Sequence, residues 1–169
     1  MKKYLKFSGV VSIVLSIVLL VLLITSEFLI YTDLPFKDVF TGKQALFGGR
    51  EGFNNAAVAL VAWAFIASSL ILLVVGFLAP MINLTGSANK VAAIFNFIAV
   101  ALFIVAGILI LFAKDAFINA NMTNASVKEF WPFLKSYGYS GAWVFLGILS
   151  IVTGLITVVP ALGNILEKK

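Results

Sequence analysis

Residues 91–113, VAAIFNFIAVALFIVAGILILFA, run between Lys90 and Lys114 without a charged side chain. At about 1.5 Å rise per residue, these 23 residues span a hydrocarbon layer about 30 Å thick. An ionised side chain at the centre of that layer costs at least about 2.5–3.5 kcal/mol, so charge-free runs mark candidate crossings. Three more such runs occupy residues 7–26, 52–89 and 136–166. The run over 52–89 is too long for one helix, and Pro80 ends it ahead of the turn-like Asn83-Leu-Thr-Gly-Ser-Ala-Asn89. The pattern predicts helices near 7–31, 54–79, 91–116 and 141–162. Residues 1–169 then form a single domain, an all-α integral membrane protein built as an antiparallel four-transmembrane-helix bundle with two outer loops.

Composition points the same way. Hydrophobic residues make up 62% of the chain and charged residues 11%, with a mean hydropathy of +1.12. Soluble domains hold about 45–50% apolar and about 25% charged residues, so a water-soluble globule is excluded. Cysteine and histidine are both absent. That removes disulfides, thiolate nucleophiles, imidazole bases and zinc sites built on either residue. No cofactor or metal is expected.

Four crossings bring both termini and the 80–90 loop to one side. Lys2, Lys3, Lys6, Lys90, Lys168 and Lys169 crowd that side, whereas Lys37, Lys43, Arg50, Lys114, Lys128 and Lys135 are spread along the outer segments among Asp33, Asp38, Glu51, Asp115 and Glu129. Basic density beside the spans predicts cytoplasmic termini in a cell membrane. The net charge of +5 then suits an anionic leaflet, and nucleic acid is not an expected partner. The opening Met1-Lys-Lys-Tyr-Leu-Lys6 resembles the basic start of a signal peptide. However, the apolar stretch behind it is longer than the usual 7–15 residues, and Ile24-Thr25-Ser26 lacks the small residue expected before a cleavage point, so a retained first helix is predicted. Eleven lysines against one arginine resemble the usage of an AT-rich bacterial gene.

Small residues predict how the helices meet. Ala92, Ala99, Ala106 and Ala113 recur every seven residues in the third helix. Ser140, Gly147, Gly154 and Ala161 do so in the fourth, and Asn55, Ala62, Ser69 and Gly76 in the second. Lipid tails are as apolar as leucine, so membrane helices associate by close packing, and a seven-residue period keeps such a seam facing its neighbour in a left-handed bundle. The first helix differs, with Ser8, Ser12 and Ser16 four apart. The Leu-, Ile-, Val- and Phe-rich faces are left for lipid, for other membrane protein subunits or for a homo-oligomer.

Polar groups within the spans are few. Glu27, followed by the apolar Phe28-Leu-Ile-Tyr31, is expected to be an interfacial carboxylate snorkelling toward water, or else a cation or proton site at the outer end with Asn54, Asn55, Arg50 and Lys114 as possible partners; Asn96 is the other polar candidate. Asn96 is expected to make an interhelical hydrogen bond. Phe47-Gly-Gly-Arg-Glu-Gly-Phe53 lacks the spacing of a phosphate-binding loop and reads as a turn. Residues 32–47 mix apolar and charged side chains too evenly for a free linker and are expected to dock. Ser126-Val-Lys-Glu129 has capping-box spacing ahead of Phe130-Trp131-Pro132-Phe133-Leu134, which predicts a short interfacial helix limited by Pro132. Trp131, Phe133, Tyr137 and Trp143 read as an aromatic belt at the outer interface. Asn121-Met-Thr and Asn124-Ala-Ser match the glycosylation acceptor pattern.

The layout is shared with tetraspan proteins such as claudins, but the tryptophan and paired cysteines of the claudin first loop are missing, so no family is assigned. The spans offer no paired carboxylates, nucleophile–base pair or metal cluster, and an enzyme is not expected. The leading expectation is a non-enzymatic accessory or scaffolding subunit that binds other membrane proteins. The alternative is a small oligomeric transporter or channel with an outer vestibule near Glu27.

Overall fold

The computed structural model describes residues 2–33, 36–48, 52–75 and 87–166. Arg50, Glu51, Gly76, Pro80, the turn over residues 83–86 and the last lysines lie outside the described residues. The protein is mostly helical. Four long helices carry it: α1 (Lys2–Thr25), α3 (Ala56–Leu73), α4 (Ser87–Leu111) and α7 (Gly141–Leu166). Lys90–Leu111 and Gly141–Gly163 are long and apolar enough to cross a membrane, while the apolar parts of α1 and α3 among the described residues, Val10–Thr25 and Val58–Leu73, are shorter. Among the described residues, two such helices are therefore present where the charge-free runs predict four.

The long helices pack as a ring in which α1 touches α3 and α7, and α4 touches α3 and α7. The most extensive contact is between α4 and α7, and it explains why small residues recur there. A Cβ added to Gly147 would meet the Leu111 side chain at 2.9 Å, and one added to Gly154 would meet Ile104 at 3.0 Å and the Val100 carbonyl oxygen at 3.2 Å. Ala92, Ala99, Ala106 and Ala113 are all buried, as are Ala62, Ser69, Ser140 and Ala161. Ser150 donates across the seam to the Phe103 carbonyl at 2.6 Å. Four further inward hydroxyls bond within their own helices: Ser16 to Ile13 O, Ser68 to Ala64 O, Thr153 to Leu149 O and Thr157 to Thr153 O, each at 2.7–2.8 Å, while the buried Ser69 hydroxyl has no hydrogen-bond partner among the described residues.

A bare helical bundle with two loops is not what closes the ring. The first helix ends at Thr25, not near 31, and the chain continues as β1 (Glu27–Asp33) and β2 (Phe36–Thr41). With β3 (Gly138–Tyr139), which leads into α7, these form a three-stranded antiparallel sheet in the order β2-β1-β3. A register shift between Glu27 and Leu29 adds an extra residue to β1. Such a bulge breaks the in–out alternation, which is why the consecutive Phe28 and Leu29 are both buried. The sheet, α2 (Gly42–Phe47), α5 (Ala113–Met122), α6 (Ala125–Phe130) and a 3-10 turn over Pro132–Ser136 form a cap at the end of the ring where α1 and α4 finish and α3 and α7 begin.

The cap is fastened at short range. Gly42 N–H donates to Ser26 O at 2.8 Å, and Gly42 lies so near the end of α1 that a Cβ there would overlap the Leu23 carbonyl oxygen. Thr41 and Gln44 form a capping box at the start of α2. The third long helix is not continuous to 116; it breaks at Phe112 and resumes as α5. From α5, the Asn121 side chain accepts from Asn54 N–H at 2.6 Å and donates to Asn54 O and Phe117 O at 2.9 and 2.8 Å, which fixes the approach to α3. The short helix behind the Ser126 capping pattern begins one residue earlier, at Ala125, and gives way to the 3-10 turn at Pro132, since proline lacks the amide that a continuing helix would use.

Candidate functional site

The cap carries an open recess of about 310 Å³ lined by Tyr31, Asp33, Asp38, Trp131, Phe133 and Tyr137. Strand geometry supplies one wall. Tyr31 and Asp38 are paired across β1 and β2, and Asp33, two residues beyond Tyr31, falls on the same face because side chains alternate along a strand. The chain from α6 into the 3-10 turn supplies the other wall, anchored by the fully buried Leu134. Tyr31 stacks on Phe133 with ring centroids 5.6 Å apart and leans on Tyr137 at 5.2 Å. Trp131 meets Phe133 edge-on at 6.2 Å. Beneath them Phe40 touches Phe53, Phe117, Trp131 and Tyr137, so the recess rests on a continuous aromatic floor.

Both carboxylates are held by tyrosine hydroxyls. Tyr137 donates to Asp38 Oδ2 at 2.5 Å while Asp38 Oδ1 accepts from Val39 N–H at 2.9 Å. Tyr31 donates to Asp33 Oδ2 at 3.1 Å, and that hydrogen bond, followed by partial burial and the carboxylate's charge, raises the Tyr31 phenol above its ordinary value. Among the described residues no cation lines the recess. Lys37 lies between Tyr31's strand and Asp38 in sequence but points to the opposite face, where its Nζ is 3.5 Å from Glu27 Oε1. The described lining is aromatic and acidic, on a chain whose net charge is positive.

Of the residues expected to form an outer polar site, Arg50 lies outside the described residues, and Glu27, Asn54 and Asn55 each have a partner elsewhere. Glu27 and Lys37 form an ion pair with both side chains well exposed. Asn54 is tied to Asn121, and Asn55 donates to Leu46 O at 2.8 Å. Asn96 is buried in α4. The expected aromatic belt divides. Trp131, Phe133 and Tyr137 join in the recess, whereas Trp143, at the start of α7, has no exposed surface and packs on Phe28 of β1 at 4.5 Å. Asn121 is likewise fully buried with its amide engaged, so it is no glycan acceptor in this fold. Sequence reading misses Tyr31, Asp33 and Asp38, because only the strand pairing brings them to the second outer segment. Among the described residues no group of three or more His, Cys, Asp or Glu side chains is placed to hold a metal ion.

No protein-family model, no curated protein and no solved structure matches this chain.

Proposed function

We propose that the protein is a multi-pass membrane protein whose four long helices all cross the bilayer, with the termini cytoplasmic and the cap outside. In that setting it serves as a non-enzymatic accessory or scaffolding subunit for other membrane proteins. The supporting observation is the distribution of side-chain size around the ring. Small residues such as Ala62, Ser69, Ala99, Ala106, Gly147, Ser150 and Gly154 are turned inward, and large apolar residues such as Val14, Leu60, Trp63, Ile94, Phe145 and Leu155 are exposed on the outside of all four helices. Small residues inside let the helices close on one another, and large apolar residues outside require lipid or a partner as solvent. The hydroxyls of Ser16, Ser68, Ser150, Thr153 and Thr157 are spent on backbone carbonyls, which argues against a hydrated path along those positions.

The test is photocrosslinking in native membranes from a photoreactive residue at Trp63 or Phe145, together with size analysis in mild detergent. A recurrent membrane-protein neighbour supports the reading. A lone monomer with no crosslinked neighbour contradicts it. The transporter alternative needs Glu27 beside Asn54 and Asn55, and the separate engagement of those residues gives it less support. Flux into proteoliposomes that is lost in Glu27→Gln would restore it.

A further inference from the structure

We infer that the base of the cap is seated in the phospholipid head-group layer, with Phe47 and Phe112 at the acyl boundary and Lys43 and Lys114 on the lipid phosphates. With the four crossings proposed above, on which this rests, the surface is where the cap meets the outer leaflet.

Hydrogen bonds set the level of α2. Its first residue, Gly42, donates to Ser26 O just past the end of α1, and Leu46 O accepts from the Asn55 side chain at the start of α3. The short helix therefore lies across two ring ends and touches both long helices. Gly42, Ala45 and Leu46 are its buried residues. Lys43 and Phe47, four residues apart and so on one helical face, are both exposed, Phe47 by 57%. A third ring end carries the same two residue types. At the joint where α4 stops and α5 resumes, Phe112 is 63% exposed and the half-buried Lys114 follows two residues on. A ring placed where apolar spans end gains from the acyl boundary, and a lysine beside it lays its alkyl stem along that boundary while its ammonium reaches the head groups. Charge is complementary as well. Among the described residues Lys37 is paired with Glu27, and neither Lys43 nor Lys114 has a carboxylate partner. Lipid phosphate supplies that anion. A protein partner would have to reach three ring ends at one height, whereas a lipid layer meets every point at that height. Of the four aromatics expected as an outer belt, three line the recess and Trp143 has no exposed surface; Phe47 and Phe112 occupy the level instead.

The experiment uses the full-length protein in vesicles of phosphatidylcholine and phosphatidylglycerol. Spin labels are attached in turn to Phe47→Cys, Phe112→Cys, Trp63→Cys and Thr32→Cys, all at exposed positions of a chain without native cysteine. Power saturation with oxygen, which concentrates in lipid, and with a water-soluble nickel chelate reports the depth of each. The Phe47→Cys and Phe112→Cys labels should lie within about 5 Å of one depth, between a lipid-buried Trp63→Cys and an aqueous Thr32→Cys. No substitution is needed for the lysines. An ammonium beside phosphate gives up its proton less readily, so a water-soluble acetylating ester should modify Lys43 and Lys114 about fivefold more slowly in the vesicles than in non-ionic detergent, measured relative to Lys128 on the cap. Aqueous readings for Phe47→Cys and Phe112→Cys beside a lipid reading for Trp63→Cys would overturn the seating and leave the crossings standing. An aqueous Trp63→Cys would overturn both. Unequal depths of the two phenylalanine positions, or unchanged relative acetylation of both lysines, would also overturn the inference.

Discussion

Gly107 on α4 and Gly147 on α7 approach so closely that a Cβ on Gly107 would stand 2.7 Å from the Gly147 carbonyl oxygen and 2.7 Å from Ile151 Cγ1. Backbone cannot yield to a methyl group as a flexible side-chain tip can. Gly107→Ala is therefore expected to cost about 1–3 kcal/mol. Thermal unfolding in detergent should show a clear fall for Gly107→Ala and a larger one for Gly147→Leu. Ile148→Leu, on an exposed face, should be neutral. Gly141→Ala, where an added Cβ meets nothing within 4 Å, should be tolerated. Equal tolerance of all four would remove the seam.

Gly42 makes a second such contact, between cap and ring. An added Cβ would overlap the Leu23 carbonyl oxygen, inside any possible van der Waals distance, so Gly42→Ala must displace α2 from the end of α1. The expected loss is at the upper end of the about 1–3 kcal/mol typical of overpacking, or beyond it. Limited proteolysis should show the cap opening at conditions where the long helices persist.

Asn121→Ala removes an acceptor for Asn54 N–H and donors to Asn54 O and Phe117 O. Leaving buried polar groups without partners costs about 1–3 kcal/mol. Asn121→Asp should cost more, because it buries a carboxylate whose oxygen faces the Asn54 and Phe117 carbonyl oxygens without a proton to donate to either. Unfolding midpoints of the two variants check the order; an Asp variant at least as stable as the Ala variant would contradict it.

These contacts mark the limit of what the sequence makes legible. The positions of α4 and α7 follow from absent charges and the buried seam from seven-residue spacing, because both are one-dimensional signals. The end of α1 does not follow. Phe28-Leu-Ile-Tyr31 is apolar whether it extends a helix or pairs as a strand, and a short apolar run cannot be assigned by periodicity alone. The two-residue β3 carries no signal of its own. Gly42 looks like any loop glycine until Leu23 is set beside it. The recess is half legible, since Trp131, Phe133 and Tyr137 stand out as an aromatic cluster. Tyr31, Asp33 and Asp38 join them only through a register that sequence does not print.

Burial, followed by the charge of Asp115, raises the Tyr139 phenol well above its ordinary value of about 10, and its hydroxyl donates to the Ile110 carbonyl. Its protonated form thus contributes stability that is fully present below pH about 10. Above that point the unfolded chain releases a proton that the folded chain retains, so stability falls as pH rises. Tyr139→Phe should be less stable at neutral pH through the lost hydrogen bond and should show a shallower decline above pH about 10. Unfolding midpoints across that range provide the check, and parallel declines would contradict the assignment.

The placement of the cap relative to the membrane is tested most directly by cysteine accessibility, for which a chain without native cysteine is already suited. Single cysteines at Thr32, Lys128 and Lys90, all exposed positions, would be challenged with a membrane-impermeant maleimide in intact cells and again after permeabilisation. With four crossings, Thr32→Cys and Lys128→Cys are labelled in intact cells and Lys90→Cys only after permeabilisation. Labelling of Thr32→Cys and Lys128→Cys from opposite sides, or of Lys90→Cys from the same side as both, would contradict it.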